Sequence, residues 1–146
     1  MKFVSLGLAL LLWTVLGALT GLGGCSPAPE QPVVEQGRFK EPLPGKSVVA
    51  GYFELHNPTA SPWLLQSVSA DTGTSVEIHR TVRNGDQVRM QRIKSLPLAP
   101  GERVSFTPGS YHLMLFGVES TPAQTRVTLH FDGDRRVTAT FGSEPW

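Results

Sequence analysis

Two histidines and two methionines are the residues of this sequence best suited to chemistry. His79, Met90, His112 and Met114 follow one another with ten, twenty-one and one residue between them. Imidazole nitrogen and thioether sulfur are both neutral donors, but sulfur is soft and binds Mg, Ca or Mn poorly. It favours Cu(I), and imidazole suits copper as well. Four such ligands would leave a bound Cu(I) ion its single positive charge. Zinc ordinarily recruits thiolate or carboxylate, and a blue-copper carrier needs a cysteine between its histidines. The only cysteine, Cys25, lies at the end of an export signal. Taken singly, a methionine is core filler and a histidine a surface group. The candidate metal ligands therefore rest on the joint placement of all four, and no catalytic residues are expected.

That placement depends on strands. Short runs rich in β-branched and aromatic residues extend from Val48 to Leu55, Trp63 to Ser69, Ser75 to Val82, Gln87 to Ile93, Arg103 to Phe106, Tyr111 to Phe116, Arg126 to Phe131 and Arg136 to Phe141. Between them stand Asn57-Pro58, Asp71-Thr72-Gly73, Asn84-Gly85, Ala99-Pro100-Gly101, Pro108-Gly109 and Asp132-Gly133. Evenly spaced strands with such punctuation, and no long helical pattern, predict an all-β fold, an antiparallel sandwich or barrel.

Asn84-Gly85 is a strong hairpin signal, expected as a two-residue loop with positive φ at both positions. Counting outward pairs Arg83 with Asp86, Arg80 with Arg89, and His79 with Met90. On the same face Glu77 would oppose Arg92. Beyond Pro108-Gly109, Tyr111, Leu113 and Leu115 suit the core, so His112 and Met114 project together on the other side. His130 alternates with Val127, Leu129 and Phe131 and reads as a solvated histidine. His56 sits at a strand end, where a turn hydrogen bond is expected.

The full spacing, H-x10-M-x21-H-x-M, resembles the signature of the PCu(A)C family of periplasmic copper chaperones, which are small cupredoxin-like proteins. The likeness runs from about Val48 to Phe141 and includes Gly51-Tyr52-Phe53-Glu54-Leu55-His56-Asn57-Pro58 and Tyr111-His112-Leu113-Met114-Leu115-Phe116-Gly117. It implies a cupredoxin-like Greek-key β-sandwich or barrel in which His79, Met90, His112 and Met114 bind Cu(I). It further implies delivery to a copper-recipient envelope protein, either cytochrome c oxidase subunit II with its Cu(A) centre or another copper chaperone. Family members often carry methionine directly after the first histidine, where this chain has Arg80. Some carry a C-terminal tail rich in histidine and methionine, which the residues up to Trp146 do not provide.

The N-terminal stretch sets the compartment. Lys2 precedes an apolar run from Phe3 to Leu16, and Leu22-Gly23-Gly24-Cys25 resembles a bacterial lipobox, so residues 1–24 read as a signal peptide with Cys25 as the lipidation site. The expected location is the bacterial cell envelope, facing the periplasm, with the lipid holding the protein to a membrane. Residues 25–37, with Pro27, Pro29 and Pro32, read as an extended tether, and 38–146 as one copper-binding domain. Removing the signal takes away one of 13 Lys+Arg and none of 12 Asp+Glu, leaving twelve of each. That balance argues against a nucleic-acid partner, which would require a basic face. Neither a G-x-S-x-G elbow nor an H-E-x-x-H motif occurs, so an enzyme is not expected. The alternative is a non-metal envelope binding or scaffold lipoprotein using aromatics such as Trp63 and Trp146.

Overall fold

Apolar and polar residues alternating along short runs become ten strands in a computed structural model, which describes residues 29–73 and 75–145 and contains no helix among them. Residues 1–24, expected to be a signal peptide, and Cys25, the expected lipidation site, lie outside the described residues. The strands are β1 (Val33–Lys40), β2 (Val48–His56), β3 (Trp63–Ala70), β4 (Ser75–Asn84), β5 (Gln87–Ile93), β6 (Leu96–Leu98), β7 (Arg103–Phe106), β8 (Tyr111–Phe116), β9 (Gln124–Phe131) and β10 (Arg136–Glu144). They form one sheet in the order β5-β4-β8-β7-β2-β1-β10-β9-β3-β6, and β8 also pairs with β2. Pairing is antiparallel except between β1 and β10 and between β7 and β8. The sheet curls until β3 lies against β4, a nearly closed barrel, as the all-β reading anticipates.

One face of this sheet supplies the core. Phe39, Phe53, Phe106, Phe131 and Phe141 are fully buried together with Leu55, Leu113, Leu115 and Leu129. Phe53 stacks on Phe106 with ring centroids 4.1 Å apart, and Phe39 on Phe141 at 5.0 Å. Gly51 lets Phe39 cross β2, since a Cβ there would lie 2.5 Å from the Phe39 ring. That contact helps seat β2 beside β8, where Gly51 pairs with Leu113 and Ala50 with Met114.

Two strands lie outside the eight expected runs. β1 takes in residues 33–37, which the sequence reading assigns to the tether. Val33 to Glu35 pair with β2, and a bulge at Gln36, whose φ is +55°, precedes Arg38 and Phe39. With only Val33 and Val34 as apolar residues before the bulge, the alternation is too short to read. β6 is a three-residue edge strand in which Leu96 and Leu98 are buried while Pro97 faces out. An edge position suits proline, which has no N–H to donate to a ladder.

The β4–β5 hairpin closes one step away from the expected register. Its loop is Gly85-Asp86, with Asn84 still in β4 and paired to Gln87. Only Gly85 has positive φ, at +59°, as in turns that place glycine at the first central position. His79 consequently opposes Arg92 and not Met90, while Met90 opposes Thr81. The offset is two residues on the partner strand. Because side chains alternate with a period of two, every residue keeps its expected face. The like-charge pairing of Arg80 with Arg89 does not form, since Arg80 opposes Gln91.

Candidate metal centre

Three adjacent strands carry the four side chains. β4 lies between β5 and β8, so cross-strand partners share a face along three rows. The central row is Arg92, His79 and His112; to one side Glu77 opposes Met114, and to the other Thr81 opposes Met90. His79 and Met90 are thus diagonal neighbours, a separation that long side chains can span. All four sequence-predicted ligands fall on the sheet face opposite Ile78, Leu113 and Leu115, which point into the core.

Their surroundings differ. β8 is flanked by β4 on one side and by β2 and β7 on the other, and His112 is only 4% exposed. Met114 is half-buried beside a groove of about 370 Å³ lined by residues 43 and 45–50. Met90 stands on the edge strand β5 and is 61% exposed. No group of three or more His, Cys, Asp or Glu able to hold a metal occurs among the described residues.

The two imidazoles face one another with ring centroids 5.9 Å apart and planes tilted by 42°. His79 Nε2 lies 2.8 Å from Glu77 Oε2, and His112 Nδ1 lies 3.2 Å from the Ser110 carbonyl oxygen. The remaining nitrogen of each ring, His79 Nδ1 and His112 Nε2, is buried with no hydrogen-bond partner among the described residues. Burial holds the pKa of His112 below its ordinary value; the Ser110 carbonyl works against this shift and the neighbouring His79 adds to it. Glu77 also pairs with Arg92 at 2.8 Å, so that ion pair exists although the two residues are diagonal rather than opposed. Sequence reasoning paired Glu77 with Arg92 and missed its bond to His79. Their i, i+2 spacing on one strand, which puts both on one face, was the available signal.

Arg80, in the position where relatives of the signature often carry methionine, points to the other face, its guanidinium 5.3 Å from the centre of the Tyr111 ring. His130 stands apart on β9, with Nε2 2.8 Å from the Ser69 hydroxyl. His56 closes β2, half-buried and paired with Val33 and Arg103. Asn57, the residue after it, organises the turn: it is fully buried, and its amide donates to the carbonyls of Ser61, Leu98 and Ala99.

Residues 32–142 match the profile of the LpqE-like family, described as candidate lipoproteins. The chain belongs to the LpqE-like family. A candidate lipoprotein of Leifsonia xyli subsp. xyli, Lxx21020, is 24% identical over 131 residues, covering 81% of this LpqE-like chain and 79% of that protein. Among solved structures, the copper-bound PCuAC domain from PmoF2 superposes with a TM-score of 0.65 at 24% identity, covering 80% of this chain and 94% of that domain. The solution structure of apo-DR1885 from Deinococcus radiodurans gives 0.54 at 16% identity, covering 100% of this chain and 97% of that one. These likenesses establish that the LpqE-like chain has the PCuAC fold. No helix long and apolar enough to cross a membrane occurs among its described residues.

Proposed function

We propose that this LpqE-like protein is a Cu(I)-binding metallochaperone of the bacterial cell envelope, anchored through lipid on Cys25 and carrying copper on His79, Met90, His112 and Met114. The observation that carries this reading is the pair of unpartnered imidazole nitrogens on opposed strands. A buried nitrogen without a partner loses stabilisation that it would have in water, and a metal ion restores it at both rings together. Two imidazoles on one ion, with bonds about 2 Å long, place their ring centroids about 5 Å apart at a tetrahedral angle and about 6 Å apart when nearly opposed, so the 5.9 Å separation here is within reach of a single ion.

Thioethers on the same face select for a soft ion. Met90 and Met114 lie on either side of the histidine row, and an exposed methionine does little for packing, which fits a ligand better than a core residue. The copper-bound PCuAC domain from PmoF2 supports copper as the cargo. A carrier must also release its ion, and Met90 on an exposed edge strand offers the side from which a recipient reaches it. That recipient is an envelope copper protein, cytochrome c oxidase at its Cu(A) centre or a further chaperone. The test is Cu(I) titration of the purified protein under reducing conditions against a chelator of known affinity. One tightly held Cu(I) per chain is expected, and a protein that leaves the chelator saturated refutes the proposal.

A further inference from the structure

We infer that Glu77 is a positioning residue that commits His79 to coordinate through Nδ1, so that the two histidines hold copper through different ring nitrogens, His79 by Nδ1 and His112 by Nε2. This deepens the Cu(I) reading above and rests on it. A carboxylate has no proton to give, so the 2.8 Å contact between Glu77 Oε2 and His79 Nε2 requires the hydrogen on Nε2. Neutral imidazole carries one N–H, which leaves the lone pair on Nδ1, the atom that is buried without a partner. At His112 the same reasoning gives the opposite tautomer. There the Ser110 carbonyl accepts from Nδ1 at 3.2 Å, and Nε2 is the unpartnered atom.

Metal-binding histidines ordinarily donate their second N–H to a carboxylate or a backbone carbonyl, which fixes the ring and raises its basicity. This site has one of each. The partners differ in how firmly they hold. Ser110 acts through the backbone, whereas Glu77 is a side chain that itself needs fixing, and Arg92 grips its other oxygen at 2.8 Å. The Arg92 side chain is 65% exposed and Glu77 23%, so solvent screens that ion pair and its share is small. The bond from His79 to Glu77 is the better shielded, with the His79 side chain 13% exposed.

The experiment uses the full-length chain labelled with ¹⁵N-histidine, and long-range ¹H–¹⁵N spectra that distinguish protonated, unprotonated and metal-bound ring nitrogens. Without metal, hydrogen is expected on Nε2 of His79 and on Nδ1 of His112. Adding Cu(I) should move the resonances of His79 Nδ1 and His112 Nε2 and leave both N–H protons in place. Glu77→Gln retains an oxygen that accepts from Nε2 and should keep this pattern. Glu77→Leu removes the acceptor and should lose roughly tenfold in Cu(I) affinity, with His79 then binding through either nitrogen. Copper on Nε2 of His79 in the wild type overturns the inference, and so does a folded Glu77→Leu variant with unchanged affinity and Nδ1 coordination. If Glu77→Leu does not fold, the wild-type and Glu77→Gln spectra decide alone. A wild type that takes up no Cu(I) refutes the proposed function and this inference with it, whereas a loaded wild type with the wrong nitrogen refutes only the inference.

Discussion

His79 and His112 occupy directly opposed positions on β4 and β8, their rings tilted by 42° with centroids 5.9 Å apart. The proposed metal centre is therefore organised around a histidine pair, with a methionine to each side. Replacing either histidine with alanine should weaken Cu(I) binding, while His130→Ala, on a different part of the barrel, should leave it unchanged. Parallel chelator competitions on the three variants check this; equal losses in all three would point to an effect on folding and not on a site.

Sulfur softness gives the second test. Met90 is mostly exposed, so Met90→Leu should alter folding stability by no more than about 0.5 kcal/mol. Met114 is half-buried, and Met114→Leu, which conserves volume and apolarity, should cost less than about 1.5 kcal/mol. Both variants should nevertheless bind Cu(I) more weakly than the wild type. Affinity equal to wild type in both would remove the methionines from the site.

The pH response follows from His112. Its folded-state pKa lies below the ordinary 6.5 because the ring is buried, so the unfolded chain takes up a proton at higher pH than the folded one. The stabilisation is complete above about 6.5 and is lost as the pH falls toward the folded value. Denaturant unfolding of the metal-free protein between pH 8 and 5 should show this loss, and His112→Gln should make it shallower. Cu(I) affinity should fall at lower pH, as the pH passes through the folded-state value, since protonated imidazole cannot coordinate. An identical acid slope in the variant would mean that His112 is not its source.

Gly85 tests the hairpin. A Cβ at this position meets nothing within 4 Å, so any penalty is one of backbone conformation at φ +59°. Gly85→Val should destabilise the protein by roughly 1–2 kcal/mol, and Asn84→Ala, at a residue in ordinary strand conformation, by under about 0.5 kcal/mol. Equal costs from the two changes would contradict a loop formed by Gly85 and Asp86.

Anchoring is tested at Cys25. Cys25→Ser should abolish incorporation of labelled fatty acid and release the protein from membranes. A wild-type protein that incorporates none, and fractionates as soluble, would exclude the lipid anchor.

Much of this architecture is legible before folding is considered. Alternation in residues 111–116 separates Leu113 and Leu115 from His112 and Met114, because one face must be buried. The same period of two carried the assignment of His79 and Met90 to one face through a misjudged turn. The turn itself was not legible to that resolution: Asn84-Gly85 and Gly85-Asp86 can each close a two-residue loop, and the choice rests on pairings along the whole of β4 and β5. The opposition of His79 to His112 is a contact between strands thirty-odd residues apart, and only the sheet order reveals it. β1 escaped notice because its register depends on a bulge at Gln36, which interrupts the period that identifies a strand.

Among the described residues, Met90 lies on the only strand of the proposed site with an unpaired edge, since β5 ends the sheet. Strands differ in the free energy needed to open them, and an exposed terminal strand opens locally long before the core does. In the proposed carrier the β5 edge can therefore detach one thioether while β4 and β8 stay packed, so that ion release need not wait for global unfolding. Amide hydrogen exchange would register this as protection of residues 87–93 that rises when the ion is bound, with little change in β8.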